Sequence, residues 1–423
     1  MTFADPQNIR TPSMDHTTAK APAAPRVRDL RLDFFRGMAM FIILFAHTPG
    51  NFLTSWIPAR WGFSDATEMF VFCSGMASAI AFGATFDRVG VLLGTGRVVY
   101  RIWQVYWAHV GLFFATAALL VYMTDLEATT RNYWGQMNLW MLFVDHREGL
   151  WENPNILFSF MTLQWVPNLF DILPMYMVIL AMMPLVIVLA RINFGIVAAA
   201  SFALWFMGQR AWTEALGLPY LNFTAEPWVG NDDWQRRWFL NPFGWQLVFF
   251  TGFAFMRGWL PKPPVTPLLV GIATFIVLAN IPLSNIGVRE FGFDWARDWR
   301  VENRQWISKT DFGILRYVQF LALAYLAWVI AGDKGDRLRA SASALGRIWA
   351  PFLAIFLKVG QQSLAVFVVS IFVARFNGFA MDMLGRETGT VLLVNLFGMT
   401  VLVVTAYTAS WFKGQPWRER RAA

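Results

Sequence analysis

The stretch 31-RLDFFRGMAMFIILFAH-47 indicates that the chain opens with a membrane-spanning helix. A charged start runs into ten residues that carry no charge, and a histidine closes the run just before Pro49 and Gly50. Proline removes a backbone donor and pushes against the carbonyl four residues earlier. We therefore predict that the helix kinks or unwinds just past His47, at membrane depth.

Composition extends this prediction to the whole chain. The 423 residues are 57% hydrophobic and 15% charged, with a mean hydropathy of +0.44, whereas soluble domains are about 25% charged. We predict an all-α, polytopic membrane helical bundle over residues 29–414. Residues 1–28 are polar and predict a disordered cytoplasmic tail, and residues 415–423 predict a basic cytoplasmic tail.

Ten stretches are predicted as transmembrane helices, since a spanning helix needs about 20 mostly apolar residues. The region 154–170 is instead predicted to be a re-entrant or interfacial helix. The predicted spans are 34–57, 66–86, 102–124, 172–190, 193–208, 241–259, 265–283, 313–331, 352–374 and 390–411.

The distribution of basic residues predicts that both termini are cytoplasmic. In that orientation the cytoplasmic side holds 20 basic and 8 acidic residues, the opposite side holds 14 basic and 19 acidic residues, and Lys358 lies within a predicted span. The basic residues are scattered at the ends of apolar segments, which argues against nucleic-acid binding. Cys73 is the only cysteine, so no internal disulfide forms.

His47 and Arg36 are the first candidates for chemistry. They are eleven residues apart, so they share one helix face about 16 Å apart along the axis. Asp33 precedes Arg36 by three residues, close enough to pair with it. Histidine is the usual general base near neutral pH, and ionisable groups within a span are rare and costly. The alternative is a buried histidine bonded to a neighbouring helix. No ligand spacing for a metal occurs.

The second predicted span begins 65-DATEMFVFCSG, with Asp65 and Glu68 at its outer end. Two interpretations of Ser74 and Gly75 stay open. Small residues at this spacing let another helix backbone approach closely. The functional alternative is that both residues line a narrow slot beside His47.

The predicted outside loops 125–171, 209–240 and 284–312 are rich in tryptophan, acids and amides. Tryptophan faces stack on sugar rings, and carboxylates accept hydrogen bonds from sugar hydroxyls, so Trp151 and Glu152 are candidate carbohydrate ligands. An interfacial tryptophan belt with solvated charges is the alternative.

The sequence resembles the integral-membrane acyltransferase-3 superfamily, and most closely its OpgC branch, the glucan-modifying protein C group. The resemblance is carried by RLDFFRG with a histidine eleven residues after its second arginine, by the longer stretch RDLRLDFFRG, by EMFVFCSG, by 171-DILPMYMVIL and by 360-GQQSLAVFVVS. The chain departs from the superfamily pattern at FVFCSG and at Ser370, where many members have a second histidine.

The resemblance implies an enzyme of the bacterial inner membrane that moves an acyl group from cytoplasmic acyl-CoA to a hydroxyl of a periplasmic glucan. Succinyl is the expected group, with acyl-CoA as a substrate rather than a bound cofactor. His47 matches the catalytic histidine, Arg36 the motif arginine and Asp33 the motif aspartate. Arg36 is also a candidate cation for a succinyl carboxylate.

Further site candidates follow from the placement of charge. Arginine suits phosphate recognition, so a donor site is predicted on the cytoplasmic side; the positive-inside bias alone is the alternative. An acceptor site is predicted on the outer side. The donor candidates are Arg88, Arg97, Arg101, Lys358, Ser74 and Gly75, and the acceptor candidates are Glu68, Asp65, Asp171, Trp151 and Glu152.

Other functions stay open on sequence alone. One is O-acetyl transfer to another extracytoplasmic polysaccharide. Another is proton-coupled transport with His47 as a relay, although neither internal repeats nor further midplane carboxylates are evident. A membrane scaffold is a third, and it would tolerate replacement of His47. The oligomeric state is not predicted.

Overall fold

A computed structural model describes residues 29–126, 131–139, 156–225 and 236–418. The predicted tail 1–28, most of the tail 415–423, and Trp151 and Glu152 lie outside this part. The described residues are mainly helical and contain no strand beyond one isolated bridge between Thr224 and Arg237. The predicted all-helical class is therefore confirmed for this part of the chain.

We label the longer helices in chain order. They are α1 (Leu30–His47), α2 (Ala66–Ser78), α3 (Ala84–Asp125), α4 (Ile172–Ile192), α5 (Phe194–Met207), α6 (Pro242–Arg257), α7 (Pro267–Ala279), α8 (Ile314–Ala331), α9 (Ala344–Gln361), α10 (Ser363–Leu384) and α11 (Thr388–Gly414). Short helices occupy Pro58–Trp61, Ile156–Met161, Arg210–Ala215, Asn285–Arg289 and Asp294–Glu302.

Five helical segments are long and apolar enough to cross a membrane: Ala66–Asp125, which joins α2 to α3, together with α4, α8, α10 and α11. Helices α5 and α7 are apolar but shorter. The chain is accordingly a membrane protein. The count of ten spans and the cytoplasmic position of both termini remain predictions.

Helix α1 ends where the sequence predicts a break. Thr48 has extended backbone angles, and Gly50 has φ of 70°, a left-handed conformation that favours glycine. The helix begins with Asp29 as its cap, whose side chain accepts a hydrogen bond from the Arg31 backbone at 3.0 Å. The predicted interruption after His47 is confirmed.

The second and third predicted spans form one helical run. A capping box at Asp65 and Glu68 starts α2, and a π-helical turn at Ala79–Gly83 links it to α3. Gly90 interrupts the run with φ of 79° and ψ of −177°, so the chain turns a corner there. Only glycine adopts such angles without strain, which explains its presence between the two apolar stretches.

The predicted ninth span, 352–374, is wrong. The structure divides this stretch at Gln362, where α9 ends and α10 begins. The physical reason is the polar run Gln361–Ser363, whose side chains bond outside their own helix. Because the residues on each side are apolar, the average hydropathy of the stretch does not reveal this break.

Helix α1 lies at the centre of the bundle and packs against α2, α9 and α10. Glycines allow α1 and α9 to approach each other closely where they cross. A Cβ at Gly37 would meet the Phe356 carbonyl, and a Cβ at Gly360 would meet the Asp33 carbonyl. Phe356 also makes edge contacts with Phe34 and Phe41. This packing fixes α1 along the length that separates Arg36 from His47.

Candidate active site

His47 is oriented by its own helix. Its Nδ1 lies 2.9 Å from the carbonyl oxygen of Ile43. A carbonyl only accepts hydrogen bonds, so Nδ1 carries the proton and Nε2 is the basic nitrogen of the neutral ring. The side chain is half-buried and lines a large cavity. The helix therefore presents a histidine whose free nitrogen suits a general base.

The backbone that follows His47 is held by arginines from α10 and the turn beyond it. Arg375 donates to the carbonyl of His47, and Arg386 donates to the carbonyl of Pro49 at 2.8 Å. Asn51 pairs with Asn395 of α11 through a 2.8 Å hydrogen bond. A broken helix end leaves carbonyls without intrahelical partners, and cations at that end are favourable. These contacts hold the unwound segment in place.

The cavity over His47 has a volume of about 1030 Å³ and is built from distant parts of the chain. All three predicted outside loops contribute to it, represented by Asn168, Tyr220 and Gln305. Phe367 and Arg375 of α10 complete the wall beside His47. The convergence of these loops on the histidine makes the cavity the candidate active site.

The described lining is basic. Seven of its residues are arginine or lysine and three are aspartate or glutamate, and it includes no tryptophan among the residues that the structure describes. Some of the cations hold ion pairs, namely Arg131 with Asp382, Arg210 with Glu214 and Lys309 with Asp65. The loop sequences are acidic and rich in tryptophan, but the described part of the cavity wall is neither.

Asp65 and Glu68 lie beneath the cavity wall and hold it together. Glu68 is fully buried, and its Oε1 lies 2.5 Å from Arg316 Nη1 of α8. Asp65 pairs with Lys309, which lines the cavity, and this pairing holds its pKa well below the usual range despite its burial. Neither carboxylate is among the lining residues. The pairs tie the start of α2 to α8 and to the third loop.

Of the predicted acceptor residues that the structure describes, Asp171 is the one that lines the cavity. It precedes α4, it is 4% exposed, and its Oδ1 accepts a hydrogen bond from the Phe239 backbone at 3.1 Å. Burial raises the pKa of its carboxyl to about 6. This carboxyl therefore changes its charge near pH 6, within the range of pH in which cells grow.

Arg36 lies away from the cavity, at the other end of α1. Its Nη2 donates to the hydroxyl of Ser363, at the start of α10. Asp33 is buried beside it, within range of a Coulomb interaction with the guanidinium. Gln361 Nε2 lies 3.5 Å from Asp33 Oδ2 and donates to it. Arg36 and His47 thus occupy two separate environments connected by one helix.

The other candidates for donor binding do not form a single binding site. Arg88 and Arg97 are exposed, and half-buried Arg101 donates to Gln104 at 3.1 Å. Lys358 donates to Ser410 at 3.2 Å and lies over the Tyr407 ring. Arg101 is within electrostatic range of Arg36.

Ser74 and Gly75 do not line the cavity. A Cβ at Gly75 would meet the backbone carbonyl of Phe249 on α6. A Cβ at Gly252 of α6 would in turn meet the carbonyl of Phe72. The small residues of α2 therefore allow this helix and α6 to pack backbone to backbone.

Sequence reasoning missed Arg375, Arg316 and Lys413. Arg375 and Arg316 lie within the apolar helices α10 and α8, and both are mostly buried. A charged residue inside an apolar run was the available signal, since such residues rarely face lipid. The predicted ninth span stops at residue 374, which places Arg375 in a loop. Among the described residues, no group of His, Cys, Asp or Glu is placed to hold a metal ion.

The fold and the site define a class: a helical membrane protein with a histidine, at the broken end of a central helix, facing a polar cavity. Comparison with family models gives the particular group. The model of the OpgC protein family matches residues 28–414, and the chain belongs to that family. Searches of curated proteins and of solved structures returned no match.

Membership of the OpgC family indicates a transferase and a glucan-modifying, acyltransferase-like function. The predicted resemblance to the OpgC group is confirmed. The relation to the wider acyltransferase-3 superfamily is compatible with this result and stays a resemblance.

Proposed function

We propose that the chain is an O-acyltransferase of the bacterial inner membrane that moves a succinyl group from cytoplasmic acyl-CoA to a hydroxyl of a periplasmic glucan. The observation that carries this proposal is His47, with Nδ1 bound to Ile43 and its ring exposed to a cavity of about 1030 Å³. A cavity of this size accommodates sugar residues, and family membership supports a glucan as the acceptor.

The proposed step uses the free nitrogen of His47. Nε2 takes the proton from a sugar hydroxyl, and the oxygen attacks the thioester carbonyl of the acyl donor. The carbon–sulfur bond then breaks, and the coenzyme A thiolate leaves and accepts the proton from the imidazolium. The products are a sugar ester and the free thiol, and His47 returns to its neutral form.

A dicarboxylic acyl group needs a cation near the reacting carbonyl. Arg375 lines the same cavity as His47 and donates to its backbone carbonyl, whereas Arg36 lies outside this cavity. We therefore assign the free carboxylate of succinyl to Arg375 rather than to Arg36. Guanidinium groups suit this role because they match carboxylates with two parallel donors.

Mass spectrometry of periplasmic glucans tests the proposal. Glucans from a host that expresses the chain should be heavier by whole succinyl groups than glucans from the same host without it. An increase by the mass of whole acetyl groups would show that the transferred group is acetyl rather than succinyl. Glucans of unchanged mass would overturn the proposal. Expression of the His47→Ala variant is the control that ties any increase to the cavity.

Acceptor binding is expected to weaken in acid through Asp171. Its carboxyl, with a pKa of about 6, is charged above that pH and then accepts hydrogen bonds from sugar hydroxyls. We expect KM for the glucan to rise as the pH falls through about 6, and Asp171→Asn to show a KM that no longer depends on pH there. An unchanged profile in the variant would remove Asp171 from acceptor binding.

The same carboxyl has an opposite effect on stability. Its pKa in the folded chain exceeds the usual value of 3.8, so the native state binds its proton first. This contribution to stability is full below about pH 3.8 and is lost as the pH rises through about 6. The difference in unfolding temperature between wild type and Asp171→Asn should change in that window.

A further inference from the structure

The junction between α9 and α10 forms a second polar site, at the end of α1 that is remote from His47. Gln362 and Ser363 are 9% and 5% exposed, within helices that are otherwise apolar. Buried polar side chains of this kind require partners. Their partners here are two cations from different helices.

Arg36 of α1 donates to the Ser363 hydroxyl, and Lys413 Nζ of α11 donates to Gln362 Oε1 at 2.6 Å. Since Gln362 and Ser363 are adjacent, these bonds bring the two positive charges to one place. Arg101 lies within electrostatic range of both. Asp33 acts on Arg36 with the opposite sign, so this carboxylate offsets part of the positive charge.

The charge of this site comes from its side chains rather than from a helix end. α9 ends at Gln361 and α10 begins at Ser363, so helix dipole ends of opposite sign meet there and largely cancel. Arg36 Nε is buried, with no hydrogen-bond partner among the residues that the structure describes. Guanidinium and ammonium groups are common ligands of phosphate, so the paired cations suit a phosphate.

We propose that Arg36 and Lys413, which meet at the start of α10, bind a phosphate group of the acyl donor. This inference rests on the proposed function, because it names how the donor of that reaction is held. Arg101 approaches the site from α3 and adds to the attraction.

The geometry relates this site to the reacting centre. Lys413 is exposed, so a phosphate reaches the site from the aqueous side. His47 lies eleven residues further along α1, about 16 Å away along the helix axis. A long flexible arm between phosphate and thioester is the feature of the donor that fits this separation.

Titration calorimetry with coenzyme A tests the site in the purified full chain. Lys413→Gln removes the exposed cation with little effect on packing, and we expect affinity to fall roughly tenfold or more, the effect of one charge-assisted hydrogen bond. Arg347→Gln is the matched control: Arg347 is an exposed cation on α9, outside the site. This control should bind coenzyme A as the wild type does.

A lipid headgroup offers the same phosphate chemistry, and native mass spectrometry separates the two sources. If Lys413→Gln loses a retained phospholipid while its affinity for coenzyme A is unchanged, the site binds lipid and the proposal is overturned. Unchanged affinity without any lipid effect overturns it as well. If coenzyme A binds through Lys413 but no acyl group is transferred, the site stands and the proposed function fails.

Discussion

Replacing His47 by alanine is expected to lower kcat for glucan acylation by roughly 10²–10⁴-fold, the range of general base catalysis. The residue faces the cavity with Nδ1 committed to Ile43, so its basic nitrogen has no substitute on that helix face. Release of coenzyme A thiol in the presence of glucan, measured with the purified chain in lipid nanodiscs, reports the rate.

An asparagine at position 47 separates chemistry from structure. Its amide N–H₂ occupies the place of Nδ1–H and retains the hydrogen bond to Ile43, but it offers no basic nitrogen. We expect His47→Asn to unfold at the wild-type temperature and to be as slow as His47→Ala. Wild-type activity in His47→Asn would show that His47 only positions the helix end. Wild-type activity in both variants would exclude any role in the reaction.

The break after α1 was predictable because its cause is local. Pro49 cannot donate a backbone hydrogen bond, and Gly50 accepts the left-handed angles that the turn requires. The position of His47 relative to Arg36 was also predictable, since both lie on one uninterrupted helix. What a single helix determines by its periodicity is available from its sequence.

The cavity itself was not predictable, because its wall comes from three separate loops and from α10. The loop sequences are acidic on balance, yet the described residues that face the cavity are mostly basic. Side-chain direction in irregular loops follows from tertiary contacts, such as that of Lys309 with Asp65. Composition therefore indicated a polar surface, but it did not indicate which charged residues face the described part of the cavity.

The break at Gln362 illustrates the same limit within the membrane region. Three polar residues between apolar runs can continue a span or end it, and the choice depends on partners. Here Arg36 and Lys413 come from helices more than 300 and about 50 residues away in sequence. Without that pairing, the apolar average across 352–374 favours a single helix.

The largest expected loss of stability follows from breaking the pair between Glu68 and Arg316. Glu68 is fully buried, and the Arg316 side chain is 10% exposed. Arg316→Met leaves the carboxylate without its cation, which costs about 3–5 kcal/mol in other buried pairs. We expect a marked fall in the unfolding temperature, because this pair joins the start of α2 to α8 beside the cavity.

Two further variants identify the cause of that loss. Adding Glu68→Gln to Arg316→Met removes the stranded charge and keeps an acceptor for the Asp65 backbone, so the double variant should regain most of the stability. Arg297→Met breaks an exposed pair with Asp294 and should change stability by less than about 1 kcal/mol. If Arg316→Met unfolds at the same temperature as Arg297→Met, the buried pair does not hold α2 to α8. If the double variant is no more stable than Arg316→Met, the loss comes from packing of the arginine stem rather than from an uncompensated carboxylate.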